Sequence, residues 1–109
     1  MITWDYFEKI DIRIGTIIRA EEFKKARKPA FKIWIDFGEL GIKKSSAQIT
    51  DHYSLDGLPG KQIVAIVNFP PKQIADFISE CLVLGAYTKE GSVNLLEPSF
   101  KSENGLKIG

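Results

Sequence analysis

The sequence predicts an all-β protein whose strands close into a small barrel. Apolar residues alternate far more often than they follow a helical period. The clearest case sets Phe31, Ile33, Ile35 and Phe37 against Lys32, Trp34 and Asp36. About five or six such short stretches fall along the chain, separated by brief helical signals and by Gly and Pro. The length of 109 residues suits one core, because each half of a divided chain would bury too little surface.

From the N-terminus, Thr3 stands as a cap before a short helix over Trp4 to Lys9, with Asp5 in its first turn. Ile12 to Arg19 reads as a strand whose alternation changes phase around Gly15, as a bulge or sharp bend requires. Phe31 to Phe37 has one face on the core, and Ile42 to Ile49 is a more polar strand. Thr50 predicts a second helical turn over Asp51 to Leu55, closed by Asp56-Gly57 and Pro59-Gly60. Ile63 to Phe69 is nearly all apolar and therefore central. It ends at Pro70-Pro71, neither of which can donate a ladder hydrogen bond. Pro71 also suits the first position of a third helical turn. Cys81 to Leu84 and Val93 to Leu96 predict a last pair of strands joined through Lys89-Glu90-Gly91.

Composition narrows the chemistry. One cysteine and one histidine exclude a disulfide framework and the usual zinc ligand sets, so no metal or cofactor is expected. No phosphate-binding loop, dinucleotide fingerprint, nucleophile elbow or HExxH helix is present. His52 sits in a polar stretch and Cys81 opens an apolar strand. They read as a surface residue and a buried, inert thiol, and the chain as a non-enzyme. The start Met1-Ile2-Thr3-Trp4-Asp5 has no basic and then apolar region, and no apolar run approaches the roughly 20 residues of a membrane span. A cytoplasmic protein without membrane insertion is expected.

Charge is nearly balanced overall, at +1, but it is not evenly spread. Arg19 to Lys44 holds eight basic and four acidic residues, a local excess of +4, which leaves −3 for the remainder. This stretch reads either as a phosphate-facing edge or as a solvated loop beside protective edge lysines. Trp34, flanked by Lys32 and Asp36, either stacks on a ligand or is covered by the protein's own ends or a second copy. Asn68 offers a two-way amide to a ligand or to nearby turn backbone.

Several segments resemble the tRNA-binding domain family, the module also appended to methionyl- and phenylalanyl-tRNA synthetases. They are Phe7-Glu8-Lys9-Ile10-Asp11-Ile12-Arg13-Ile14-Gly15-Thr16-Ile17, Ala20-Glu21-Glu22-Phe23, Lys32-Ile33-Trp34-Ile35-Asp36-Phe37-Gly38 and Gly60-Lys61-Gln62-Ile63-Val64-Ala65-Ile66-Val67-Asn68-Phe69. Three more resemble the family's CsaA-like branch of export-related chaperones: Ser45-Ser46-Ala47-Gln48-Ile49-Thr50, Asn68-Phe69-Pro70-Pro71 and Asn104-Gly105-Leu106-Lys107-Ile108-Gly109. Two departures stand out. Cys81 replaces a frequent Met, and Gln73-Ile74-Ala75-Asp76 replaces a more basic, Gly-ended run.

The resemblance implies an OB-fold, a five-stranded Greek-key barrel with short helices and terminal extensions. It implies one tRNA-binding-type domain over 1–109, with 1–9 and 98–109 as dimerisation extensions. It carries peptide- or tRNA-binding roles to Lys32, Ser45, Ser46, Ala47, Asn68, Lys72, Ser79 and Glu80, to which Trp34 is added from its own setting. Trp4, Tyr6 and Phe7 offer apolar surface beyond the barrel's needs and are assigned to a homodimer interface. The implied activity is a non-enzymatic chaperone that binds unfolded preproteins or peptides for export and also binds tRNA, with the export motor SecA as a further partner. The alternative is a stand-alone, structure-specific tRNA-binding module without chaperone activity.

Overall fold

The alternating stretches form the walls of a nearly closed antiparallel barrel in a computed structural model that describes residues 1–109. A short helix, α1 (Trp4–Glu8), precedes β1 (Ile12–Glu22), β2 (Phe31–Asp36) and β3 (Ile42–Ala47). A 3-10 turn over Gly38–Leu40 links the last two. Then come β4 (Gln62–Ile66), β5 (Lys72–Ile74), β6 (Phe77–Ser79), β7 (Leu82–Val83), β8 (Gly85–Tyr87) and β9 (Val93–Leu95). The main sheet runs β3-β2-β1-β4-β7, while β5-β6 and β8-β9 are separate hairpins. The all-β, OB-like reading of the sequence is the observed architecture.

Strand β1 organises the barrel because its two halves serve different neighbours. Ile12 to Thr16 pairs with β4, and Thr16 to Glu22 pairs with β2. The register slips between Ile17 and Arg19, so the bulge lies beyond Gly15, where alternation placed it. Gly15 answers a different need. A β-carbon there would sit 2.6 Å from Ile35 Cγ2 and 2.7 Å from the Phe37 ring. The chain's C-terminal segment covers the other edge of the first half. Gly105 N–H donates to Ile14 O, Ile14 N–H to Leu106 O and Ile108 N–H to Ile12 O, at 2.7, 3.0 and 2.8 Å.

Burial follows the alternation of β2 and β4. Ile33, Ile35 and Ile63 are fully enclosed together with Ile17, Phe37 and Leu58. A smaller cluster of Phe23, Ala30 and Phe77 closes the side under the basic loop.

Three local expectations are corrected. Residues 51–55 form turns rather than a helix. The run is too short to repay helix nucleation, and Ser54 Oγ accepts from Gly57 N–H at 3.1 Å while Leu58 anchors the loop in the core. The segment after Pro71 is the β5-β6 hairpin, not a helical turn. Its two-residue loop, Ala75-Asp76, has Ala75 at φ 54°, a position where Gly would have announced the turn. Last, the partner of Val93–Leu95 is Gly85–Tyr87, whereas Leu82–Val83 pairs with β4. Thr3 does precede α1, but its side chain makes no capping bond.

Candidate ligand-binding face

The barrel does not close with a full ladder between β3 and β7; side chains seal part of the seam. Glu80 N–H donates to Lys44 O at 2.7 Å, and Lys44 N–H donates to Glu80 Oε1 at 3.1 Å. Ser46 N–H donates to Ser79 Oγ at 3.3 Å. Ser79 and Glu80 thus act as a substitute strand edge, meeting outward groups of β3 that a ladder would otherwise satisfy. Ser45 is buried beneath them, its hydroxyl donating to Ser46 O at 2.9 Å.

Beside this seam lies a cavity of about 300 Å3 that gathers Ser45, Ser46, Lys72 and Ser79 with Phe69 and Cys81. The pairing of Lys72 with Ser79 across β5-β6 brings the lysine there. Burial pushes the Cys81 thiol up to about 12; the Glu80 charge adds to the shift and Lys43 opposes it. A thiol held neutral in this way is a lining group rather than a nucleophile. His52 is exposed, and its Nε2 lies 2.9 Å from Ser92 Oγ, far along the chain from Cys81.

Lys32 is the cross-strand neighbour of Ser46, so a second cluster adjoins the first. Its ammonium lies 5.1 Å from the Phe23 ring centre and 5.4 Å from that of Phe77, while Lys44 approaches Phe77 at 5.3 Å. The Trp34 ring meets Phe77 edge-on at 6.1 Å and carries the Arg19 guanidinium at 4.5 Å. Trp34 is therefore half-covered by the β5-β6 hairpin and an arginine. Three cations over aromatic faces make a surface that favours anionic or planar groups. In the adjoining loop Lys24, Arg27 and Lys28 form no ion pair, and Lys25 pairs with Asp76 at 2.9 Å. That contact holds the Asp76 carboxyl below its ordinary value and Lys25 above its own.

Asn68 stands apart from both clusters. Its Nδ2 donates to Lys9 O at 2.7 Å and its Oδ1 accepts from Asp11 N–H at 3.0 Å, which ties the end of α1 to the start of β1. Ala47 borders a further groove of about 410 Å3, between residues 46–49 and the β8-β9 hairpin.

Residues 12–107 match the family described as "Putative tRNA binding domain". The chain belongs to this family. Similarity extends over the whole tRNA-binding-domain chain in two solved structures. The chaperone CsaA of Bacillus anthracis is 55% identical, with a TM-score of 0.95, covering 100% of this chain and 99% of that one. The CsaA chaperone protein of Picrophilus torridus is 57% identical, with a TM-score of 0.94 and 100% of both chains covered. The methionine–tRNA ligase of Methanococcoides burtonii is 33% identical over 99% of this chain, which spans 16% of that enzyme's length.

For this tRNA-binding-domain chain, two contributors escaped sequence reading. Phe77 and Lys44 complete the cationic aromatic cluster, and only their pairing across strands far apart in sequence reveals it. The departure at Ala75-Asp76 also has a local meaning. The acid is joined to Lys25 on the facing loop.

Proposed function

We propose that the protein is a non-enzymatic, CsaA-like chaperone that holds unfolded preproteins or peptides for export and also binds tRNA. The observation that carries this reading is 55–57% identity over the full chain to two CsaA chaperones. The local chemistry agrees with it. Ser45, Ser46, Lys72 and Ser79 border one cavity of hydroxyl, ammonium and apolar groups, and Ala47 borders the groove next to it. Lys32 and Trp34 flank the cavity, and Glu80 shapes its seam. Extended peptides and nucleic acids both present recurring polar backbones, so one face can serve both. In this reading Asn68 acts by fixing the α1–β1 corner. The protein works in the cytoplasm as a homodimer joined through 1–9 and 98–109, with SecA receiving the held preprotein.

Titrating labelled tRNA and an unfolded preprotein peptide across salt concentrations tests the reading. Both ligands should bind. The RNA affinity should fall steeply, with a log–log slope of roughly −0.7 per phosphate contacted on a single strand, while peptide affinity should change little. Binding of tRNA with no binding of unfolded preprotein would defeat the chaperone reading and leave the alternative, an RNA-binding module alone.

A further inference from the structure

The groove of about 410 Å3 differs in chemistry from the lysine-bearing cavity beside it. Its lining includes Ala47, Ile49, Leu82, Tyr87 and Val93, and no Lys, Arg, Asp or Glu. A phosphate backbone would find no countercharge there. What the groove does offer is main chain without partners. Gln48 and Ile49 form no backbone hydrogen bond. Across the groove, Leu96 N–H donates to Leu84 O at 3.2 Å and Thr88 N–H to Ser92 O at 2.8 Å. These fix the bonded pairs of the β8-β9 ladder, so the main-chain groups of Gly85 and Tyr87 point away from β9. All three residues of β8 are exposed, and Tyr87 is 84% exposed. Gly85 keeps the wall low, since a β-carbon there would meet Val93 Cγ1 at 2.4 Å.

We infer that this groove takes an extended segment of unfolded polypeptide as an added strand, its main chain pairing with the open edge at Gly85 and Tyr87. Alternate side chains of the segment rest on the apolar lining. The inference builds on the chaperone reading and separates the peptide groove from the cationic cluster. The two cavities share only Ser46 and Leu82 at their border. An uncharged lining together with unmet strand-edge groups favours a polypeptide over RNA, because only a polypeptide supplies a repeating donor and acceptor at strand spacing.

The test uses a ten-residue peptide alternating Val and Ser between terminal lysines, with two further versions N-methylated at alternate residues in opposite registers. Backbone amide shifts of the full-length protein locate binding, and calorimetry measures affinity. Shifts should centre on Gln48, Ile49, Gly85 and Tyr87. One methylated register should bind at least tenfold more weakly, as should the parent peptide with the Tyr87→Ala protein. Glu39→Ala, at an exposed position that lines neither cavity, should leave peptide affinity unchanged. Equal affinity of all three peptides, or shifts centred on Lys32 and Lys72, would overturn the inference while leaving the chaperone reading intact. A protein that binds an unfolded preprotein but not the short peptide would also overturn it. Binding of neither would remove both readings.

Discussion

Ala75 has the only non-glycine backbone in the left-handed region, at φ 54°, on the first loop position of the β5-β6 hairpin. A β-carbon in that region costs roughly 1–2 kcal/mol, whereas glycine there costs about 0.5–1 kcal/mol in chain entropy. The side chain is exposed and loses no packing on removal. Ala75→Gly should therefore stabilise the protein by roughly 0.5–1 kcal/mol, read as a higher urea midpoint at unchanged slope. The same residue shows why the hairpin was hidden in the sequence. Its turn carries none of the Asn-Gly or Gly-first signals that mark two-residue loops, and the preceding Pro71 favoured a helical start. Asn68 shows a related boundary. Its residue type announced a two-ended amide, but its partners lie at Lys9 and Asp11, more than fifty residues away along the chain. Local patterns cannot name so distant a partner.

At the scale of elements, the seam beside β3 rests on side chains doing what a strand would do. Glu80 matters most, because its backbone N–H and its carboxylate both bond the main chain of Lys44. Removing the carboxylate leaves a half-buried amide hydrogen to water or to nothing. Glu80→Ala should cost about 1.5–3 kcal/mol, the usual worth of a hydrogen bond to a charged group. It should also speed hydrogen exchange at the Lys44 amide. Glu80→Gln keeps an accepting oxygen and should recover much of the protection. A rate at Lys44 unaffected by Glu80→Ala would show that the seam does not depend on this contact. The strands themselves were readable because one-sided burial imposes a period of two, as in Phe31, Ile33 and Ile35. The seam was not, because it depends on where β3 and residue 80 meet after folding. Ser45, Ser46, Ser79 and Glu80 were legible only as residues of a familiar pattern, without the division of labour between lining and closure.

For the whole molecule, the two ends of the chain leave apolar surface exposed. Trp4 and Tyr6 are 75% and 58% exposed, and a concavity of about 680 Å3 is lined by Ile2, Thr3, Trp4, Phe7 and Gly109. Both termini thus contribute to one face, which suits a self-complementary interface between two copies. The balanced total charge does not oppose such pairing, since the excess of +4 lies in residues 19–44 rather than at the ends. Pairing would present two peptide grooves on one particle. A long unfolded chain held at one groove then meets the second at an effective concentration set by the intervening chain, with no new contact required. The consequence separates dimerisation from groove chemistry. Trp4→Asp places a charge in the apolar face, so sedimentation should show loss of the two-copy species while the barrel's circular dichroism is retained. The affinity of this variant for a long unfolded preprotein should fall by tenfold or more, and its affinity for a ten-residue peptide should not change. A wild-type protein that sediments as one copy at every concentration would refute the interface. A variant that loses both affinities equally would place Trp4 within the peptide site instead.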